Sequence, residues 1–264
     1  MVNCLMQLCE QGAVRFYTFT SFPNGELTHA VFGRAGGVSP APYDSLNMSI
    51  STGDSLENVR ENRRLALAAA GVKAAAVATL WQVHGTDVVA VSTEPGDPLT
   101  QADALITNAR GVTLFLRFAD CVPILLFDPV RRVTGIAHAG WRGTVAGMAQ
   151  NVVRAMIANY GCAAADILAG VGPAVGPARY EVGAEVVQAA RVAFPLDAGF
   201  VEVRGGKTYF DLWSANAAAL RLAGVRSVEV ANLCTAENKH EFFSHRGDGG
   251  QSGRFGALIG MGVN

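Results

Sequence analysis

Charge is scarce in this chain and nearly balanced: only 16% of residues are Asp, Glu, Lys or Arg, and the formal net charge is -1. No long basic run offsets that balance. The electrostatic footprint of a nucleic-acid or membrane-surface partner is therefore missing, and the expected ligand is small. Cysteine is also sparse and irregular, at Cys4, Cys9, Cys121, Cys162 and Cys234. An odd, uneven set excludes a disulfide framework and fits a reducing cytoplasm. The segment Met1–Gln7 has neither a basic start nor a long apolar run, so neither a signal peptide nor a membrane span is expected there. Internal repeats and low-complexity blocks are lacking too. The alanine clusters at 68–70 and 74–76 read as close packing around a helix end.

What is abundant is apolar surface. Half of the 264 residues are hydrophobic, enough for a large core, read here as one domain over 1–264. The chain reads as an α/β (α+β) fold, a single layered domain with mixed β-sheets and flanking helices. Val14–Phe19 and Ala30–Phe32 read as strands around a Pro23-Asn24-Gly25 turn. From Gly33 to Gly53 the chain is too rich in breakers for an element and too long for a plain connector, which fits a loop that lines a site. Asp54 with Glu57 reads as a capped helix start, and the apolar pattern runs to Gly71. Strands are expected at 77–80, 88–91, 104–106 and 112–118, with Glu94–Asp97 a loop. Val145, Met148, Val152, Met156 and Tyr160 predict one helix opening at Gly140 and closing at Gly161. A strand at 167–171, helices at 184–194 and 211–223, and strands at 228–231 and 254–261 complete the chain.

The segment Arg117–Gly143 organises the chemistry. It reads as a β-hairpin feeding a helix. A two-residue loop at Pro129-Val130, or a four-residue loop from Asp128 to Arg131, sets Cys121 opposite His138. Facing residues on one sheet face have Cβ atoms about 4.5–5.5 Å apart. Zinc bonds of roughly 2.0–2.3 Å to nitrogen and sulfur span such a gap. A three- or five-residue loop would change the parity and separate the two side chains. His84, in the Gly-containing turn Trp81–Asp87, would supply a third ligand and leave an open position of the catalytic kind. The same residues also admit a Cys121–His138 nucleophile pair, or Cys121 as a small core residue. Gly140-Trp141-Arg142-Gly143 sets backbone N–H groups beside a cation, an arrangement suited to an anion or to a tight packing turn.

Taken in order, several motifs resemble one family. They are Trp81-Gln82-Val83-His84-Gly85, Ala119-Asp120-Cys121-Val122-Pro123, His138-Ala139-Gly140-Trp141-Arg142-Gly143, Gly172–Pro177, Tyr180-Glu181-Val182-Gly183 and Phe242-Phe243-Ser244-His245-Arg246. Together with Gly36–Ser39, Tyr43–Asn47 and Glu61-Asn62-Arg63 they resemble the laccase-domain family, long labelled polyphenol oxidase and later described as purine nucleoside phosphorylases. The resemblance implies a zinc ion on His84, Cys121 and His138. It also implies phosphorolysis of adenosine, inosine, guanosine and methylthioadenosine, and deamination of adenosine. Nucleoside and phosphate are then the partners. Nothing in the sequence separates a monomer from a homodimer.

Within that frame Arg142, with the Gly140 and Gly143 backbone, is the candidate phosphate anchor. Asp120 is a candidate acid or base, or a structural hydrogen-bond acceptor, and Cys121 a ligand at the reacting centre. Gly36, Gly37, Asn47, Arg60, Gln82 and Tyr180 are candidate lining residues, and His245 a candidate proton donor. Two departures from the family pattern stand out. Gly247 replaces an expected second arginine after Arg246, which puts an anion contact in doubt, and Phe118 replaces a common threonine beside the metal ligand. The rival readings are a copper-dependent phenol oxidase, a metal-free cysteine hydrolase and a nucleoside-binding protein without turnover. A copper oxidase fits poorly because three ligands including a thiolate make a weak multicopper centre.

Overall fold

The computed structural model describes residues 6–72, 77–92, 96–195 and 198–262. Ala74–Ala76, Cys4 and the Glu94-Pro95 part of the expected loop lie outside them. The strands β1 Met6–Gln11, β2 Val14–Phe19, β3 Leu27–Phe32, β4 Val77–Ala78, β7 Thr113–Phe118 and β14 Phe255–Met261 form one six-stranded sheet in the order β1-β2-β3-β14-β7-β4. A second six-stranded sheet contains β5 Val88–Ala90, β6 Ala104–Thr107, β8 Val122–Asp128, β9 Val133–Ala139, β10 Leu168–Val171 and β13 Ser227–Val230, ordered β13-β10-β8-β9-β6-β5. Both sheets are mixed, with parallel pairs at β4/β7, β5/β6 and β10/β13. A separate ribbon pairs β11 Val201–Arg204 with β12 Lys207–Phe210.

Every residue of β8 and β9 is buried, because these strands are covered on both faces. Alternation divides their side chains. Leu125, Phe127 and Ile136 join Leu114, Leu116, Phe255 and Ile259 between the sheets. Ile124, Leu126 and Ala137 pack instead against Met148, Val152 and Met156 of α3 (Met148–Tyr160) and Leu220 of α5 (Leu212–Leu222). On the far side of the first sheet, Phe32, Phe115 and Leu258 meet Ala66 and Leu67 of α1 (Leu56–Ala69). The fold is thus a helix, sheet, sheet, helix stack, with α4 (Ala184–Ala193) in the outer helical layer.

Several expectations need correction. Asp128 pairs with Val133 and Pro123 with His138, so the hairpin loop is 129–132 and Cys121 does not stand opposite His138. Asp128 Oδ1 accepts from the backbone N–H of Val130 and Arg131 at 2.8 and 2.9 Å, and Arg132 closes the loop at φ 57°. The aspartate therefore ends the strand instead of opening the loop. The expected single helix after Gly140 is two, because Gly147 at φ 87° separates α2 (Trp141–Val145) from α3. Gly161 does close α3, at φ 66°. Helix α1 is capped by Ser55, whose side chain accepts from Asn58 N–H, while Asp54 joins the polar loop that precedes it.

Candidate metal centre and cleft

The chain leaves the first sheet at Phe118 and enters the second at Val122. The intervening turn carries Asp120 at φ 82° and then Cys121. Across the hairpin Cys121 meets Gly140: a Cβ built on Gly140 would stand 2.9 Å from Cys121 Sγ and 3.3 Å from His84 Cδ2. The register differs from the expected one by two residues, which preserves parity, so Cys121 and His138 still share a face. Because position 140 has no side chain, the sulfur can lean toward His138. One ligand atom from each of His84, Cys121 and His138 lies within 4.8 Å of the others, and they are the one such group among the described residues.

Asp103, fully buried at the start of β6, organises two of the three. Its carboxylate accepts the backbone N–H groups of Val83, His84 and Gly85 at 3.1, 3.0 and 2.7 Å, holding His84 at φ 61°. Oδ1 also meets His138 Nδ1 at 2.8 Å, which leaves Nε2 for a metal. Burial alone would raise the Cys121 thiol, but the His138 charge and hydrogen bonds from His138 and His84 bring it down to about 6. Burial alone would neutralise His138, yet the Cys121 thiolate and Asp103 raise it to about 9. Two imidazoles and a thiolate from separate segments, one imidazole oriented by a buried carboxylate, are a donor set that fits zinc.

The group opens into a cleft of about 470 Å³ lined by residues that include Ser49, Ser51, Trp81, Gln82, Arg117, Tyr180, His245, Arg246 and Arg254. Gln82 Nε2 donates to the Arg117 carbonyl at 2.8 Å, and its Oε1 accepts from Arg117 N–H at 3.0 Å. Tyr180 lies under the Arg246 guanidinium, 5.1 Å from ring centroid to Cζ. Burial, with the nearby Cys121, raises its phenol, so the hydroxyl keeps its proton. Asp120 lines the cleft, but its carboxylate accepts from Thr235 Oγ1, Ser244 Oγ and Arg246 N–H, each at 2.6 Å. These contacts fix the His245-Arg246 turn.

Other sequence candidates fall around the cleft instead of in its lining. Asn47 is buried, and its side chain holds Ser49, Thr52, Asp54 and the Arg254 backbone. Gly36 and Gly37 pack within the loop; a Cβ there would meet Ala13 O at 2.3 Å and Ser45 O at 2.2 Å. Gly143 approaches Gly85 O, and Arg60 sits on the exposed face of α1. Arg142 is exposed, with its guanidinium 4.4 Å over the Trp141 ring. Phe118 packs on the His138 ring at 5.5 Å, a packing contact beside the ligand. At Gly247 a Cβ would stand 2.9 Å from Lys239 Cδ, whose ammonium donates to the Gly247 carbonyl.

Sequence reasoning missed Asp103, Ser49, Ser51, Arg117 and Arg254. The available signals were an aspartate abutting the apolar run Ala104–Ile106 and an arginine inside the apolar run Leu-Phe-Leu-Arg-Phe.

Comparison with known proteins places the fold in a family. The family described as multi-copper polyphenol oxidoreductase laccase matches residues 28–262. A Deinococcus radiodurans protein named purine nucleoside phosphorylase is 43% identical over 239 residues, covering 90% of this chain and 91% of its own length. The Escherichia coli purine nucleoside phosphorylase YfiH is 37% identical over 227 residues, covering 86% and 90%. The crystal structure of YlmD from Geobacillus stearothermophilus superposes with a TM-score of 0.92 at 32% identity, covering 98% of this chain and 99% of that one.

Proposed function

The chain belongs to the multi-copper polyphenol oxidoreductase laccase family, and from that premise we propose that it is a zinc-dependent purine nucleoside phosphorylase. Its substrates are adenosine, inosine, guanosine and methylthioadenosine, converted with phosphate to free base and ribose 1-phosphate. The observation that carries this reading is the convergence of His84, Cys121 and His138 beneath a cleft that also presents arginines and aromatic side chains.

His84, Cys121 and His138 would hold the ion, and bound zinc would supply a Lewis acid able to polarise a substrate oxygen or to acidify water. The remaining work belongs to the protein. Trp81 and Tyr180 offer aromatic faces to a purine. Tyr180, kept protonated, has a hydroxyl proton to offer a substrate acceptor, and Gln82, fixed by Arg117, presents a held amide edge. Asp120 anchors the turn that carries His245 and Arg246 into the cleft.

The family description names copper and phenol oxidation. The chain has five histidines, and one of them, His29, is committed to the backbone N–H of Phe19. That supply is too small for a multicopper centre. Adenosine deamination is proposed as a companion activity, read as ammonia released from adenosine without phosphate. Cytoplasmic residence suits a centre that needs a free thiol, and no helix of the described residues is long and apolar enough to cross a membrane.

The test is incubation of zinc-loaded protein with inosine and adenosine, with and without phosphate. Ribose 1-phosphate and free base should form only with phosphate. Absence of both, with absence of inosine from adenosine, would refute the proposal.

A further inference from the structure

Arg117 in β7 and Arg254 just before β14 both line the cleft, yet neither forms an ion pair with any carboxylate of the described residues. Arg117 donates through Nε to Gln82 Oε1 at 3.1 Å and through Nη2 to the Leu80 carbonyl. Arg254 donates through Nη1 to the carbonyls of Ser252 and Gly253 at 2.8 and 2.9 Å. Among the described residues Arg117 Nη1 and Arg254 Nε and Nη2 have no protein acceptor, and none of the three is sealed from solvent. Behind them Arg63, half-buried with Nε on the Met48 carbonyl at 2.9 Å, adds a further positive charge. Burial first, and then repulsion from Arg63, lower Arg117 to about 10. Among the described residues none of these three guanidinium groups has an ion-paired carboxylate, and only the more distant Asp120 and Cys121 charges act on Arg254, so the cluster favours a ligand that brings an anion.

The seat is also built in advance. Ser49 and Ser51 place hydroxyls 2.9 Å apart in the same cleft wall. Asn47 Oδ1 accepts from both Ser49 N–H at 3.2 Å and Arg254 N–H at 2.9 Å. One buried amide thus fixes the serine turn against the arginine. The site lies close enough to the metal ligands for the Cys121 charge to act on Arg254. The Arg142 turn lacks these properties: α2 has only five residues and Arg142 does not line the cleft.

We propose that Arg117 and Arg254, with the hydroxyls of Ser49 and Ser51, hold inorganic phosphate as the co-substrate, an assignment that rests on the phosphorylase reading above. A hydrogen phosphate seated there forms a bond from one oxygen to the ribose C1′. The bond from C1′ to the base nitrogen breaks with its electron pair going to the purine. The proton of the hydrogen phosphate ends on the base. Arg63 sets the field behind the seat without touching the ligand.

The experiment uses zinc-loaded wild-type protein and the variants Arg254→Gln, Ser51→Ala and Arg142→Gln. The first readout is the melting-temperature shift given by inorganic phosphate without nucleoside, and the second is the KM for phosphate beside kcat and the KM for inosine. Loss of a charged hydrogen-bond donor should raise the phosphate KM about ten- to a hundredfold in Arg254→Gln. The same variant should lose the phosphate shift and keep its inosine KM within about twofold of wild type. Ser51→Ala, at an exposed position, should raise the phosphate KM by a few-fold. Arg142→Gln should leave both phosphate readouts unchanged. A full phosphate shift and an unchanged phosphate KM in Arg254→Gln, with phosphorolysis intact in wild type, would overturn the seat alone. Wild-type protein without any phosphorolysis would overturn the co-substrate role together with the reading beneath it.

Discussion

Asp103 touches the loop of one imidazole ligand and the ring of the other, so replacing its charge tests how the ligands are held. Asp103→Asn is expected to lower zinc affinity about 10- to 100-fold in a chelator competition titration; unchanged affinity would remove Asp103 from that role. Gly140→Ala places a methyl 2.9 Å from Cys121 Sγ, so the variant should fold but bind zinc weakly. The melting temperature of the chelated protein separates that outcome from misfolding. His29 sets a pH dependence remote from the cleft. Burial holds it at about 4, and its neutral Nε2 accepts from Phe19 N–H at 2.8 Å. Its folded value lies below the ordinary 6.5, so its contribution is complete above pH 6.5 and is lost as pH falls from 6.5 toward 4. The loss amounts to about 3 kcal/mol at most. Urea unfolding across that range should show the decline, and His29→Gln should flatten it. Residue types told part of this beforehand. The grouping of His84, Cys121 and His138 was legible because few side-chain types can ligate a metal, whereas Arg117 and Arg254 were not, since a lone arginine in sequence reads as solvated until its neighbours are known.

At the scale of elements, Gly140 and Gly147 flank the same short helix and should respond differently. Gly147 adopts φ 87° between α2 and α3, so Gly147→Ala should cost roughly 1–2 kcal/mol of stability. Zinc affinity should be unchanged, because a Cβ at Gly147 meets only Gln150 within 4 Å. Lost zinc binding in Gly147→Ala would mean that the helix break itself shapes the centre. Strands β2, β7, β8 and β9 were readable from their apolar runs. The hairpin register was not, because it depends on where Asp128 turns its carboxylate onto the loop N–H groups. The helix break was also missed, since the apolar spacing passes smoothly over Gly147 while its backbone does not. Strand β1 escaped notice because it lies at the sheet edge with mostly exposed or half-buried side chains.

Across the whole molecule, two sheets share a core, and the chain crosses from one to the other beside Cys121. The layered α/β class was legible from composition and strand patterns. The cationic wall of the cleft was not, because its parts lie as far apart in sequence as Ser49 and Arg254 and meet only when β14 inserts between β3 and β7. That closure puts a cationic wall and a thiolate-imidazole centre in one cleft. The most direct measurement is zinc content per chain together with inosine turnover in the presence of phosphate, for wild type, Cys121→Ala and wild type stripped by chelator. The account predicts about one zinc and active phosphorolysis in wild type, loss of both in Cys121→Ala and after stripping, and recovery of the stripped protein on adding zinc. Full phosphorolysis by zinc-free protein, or by Cys121→Ala, would contradict it.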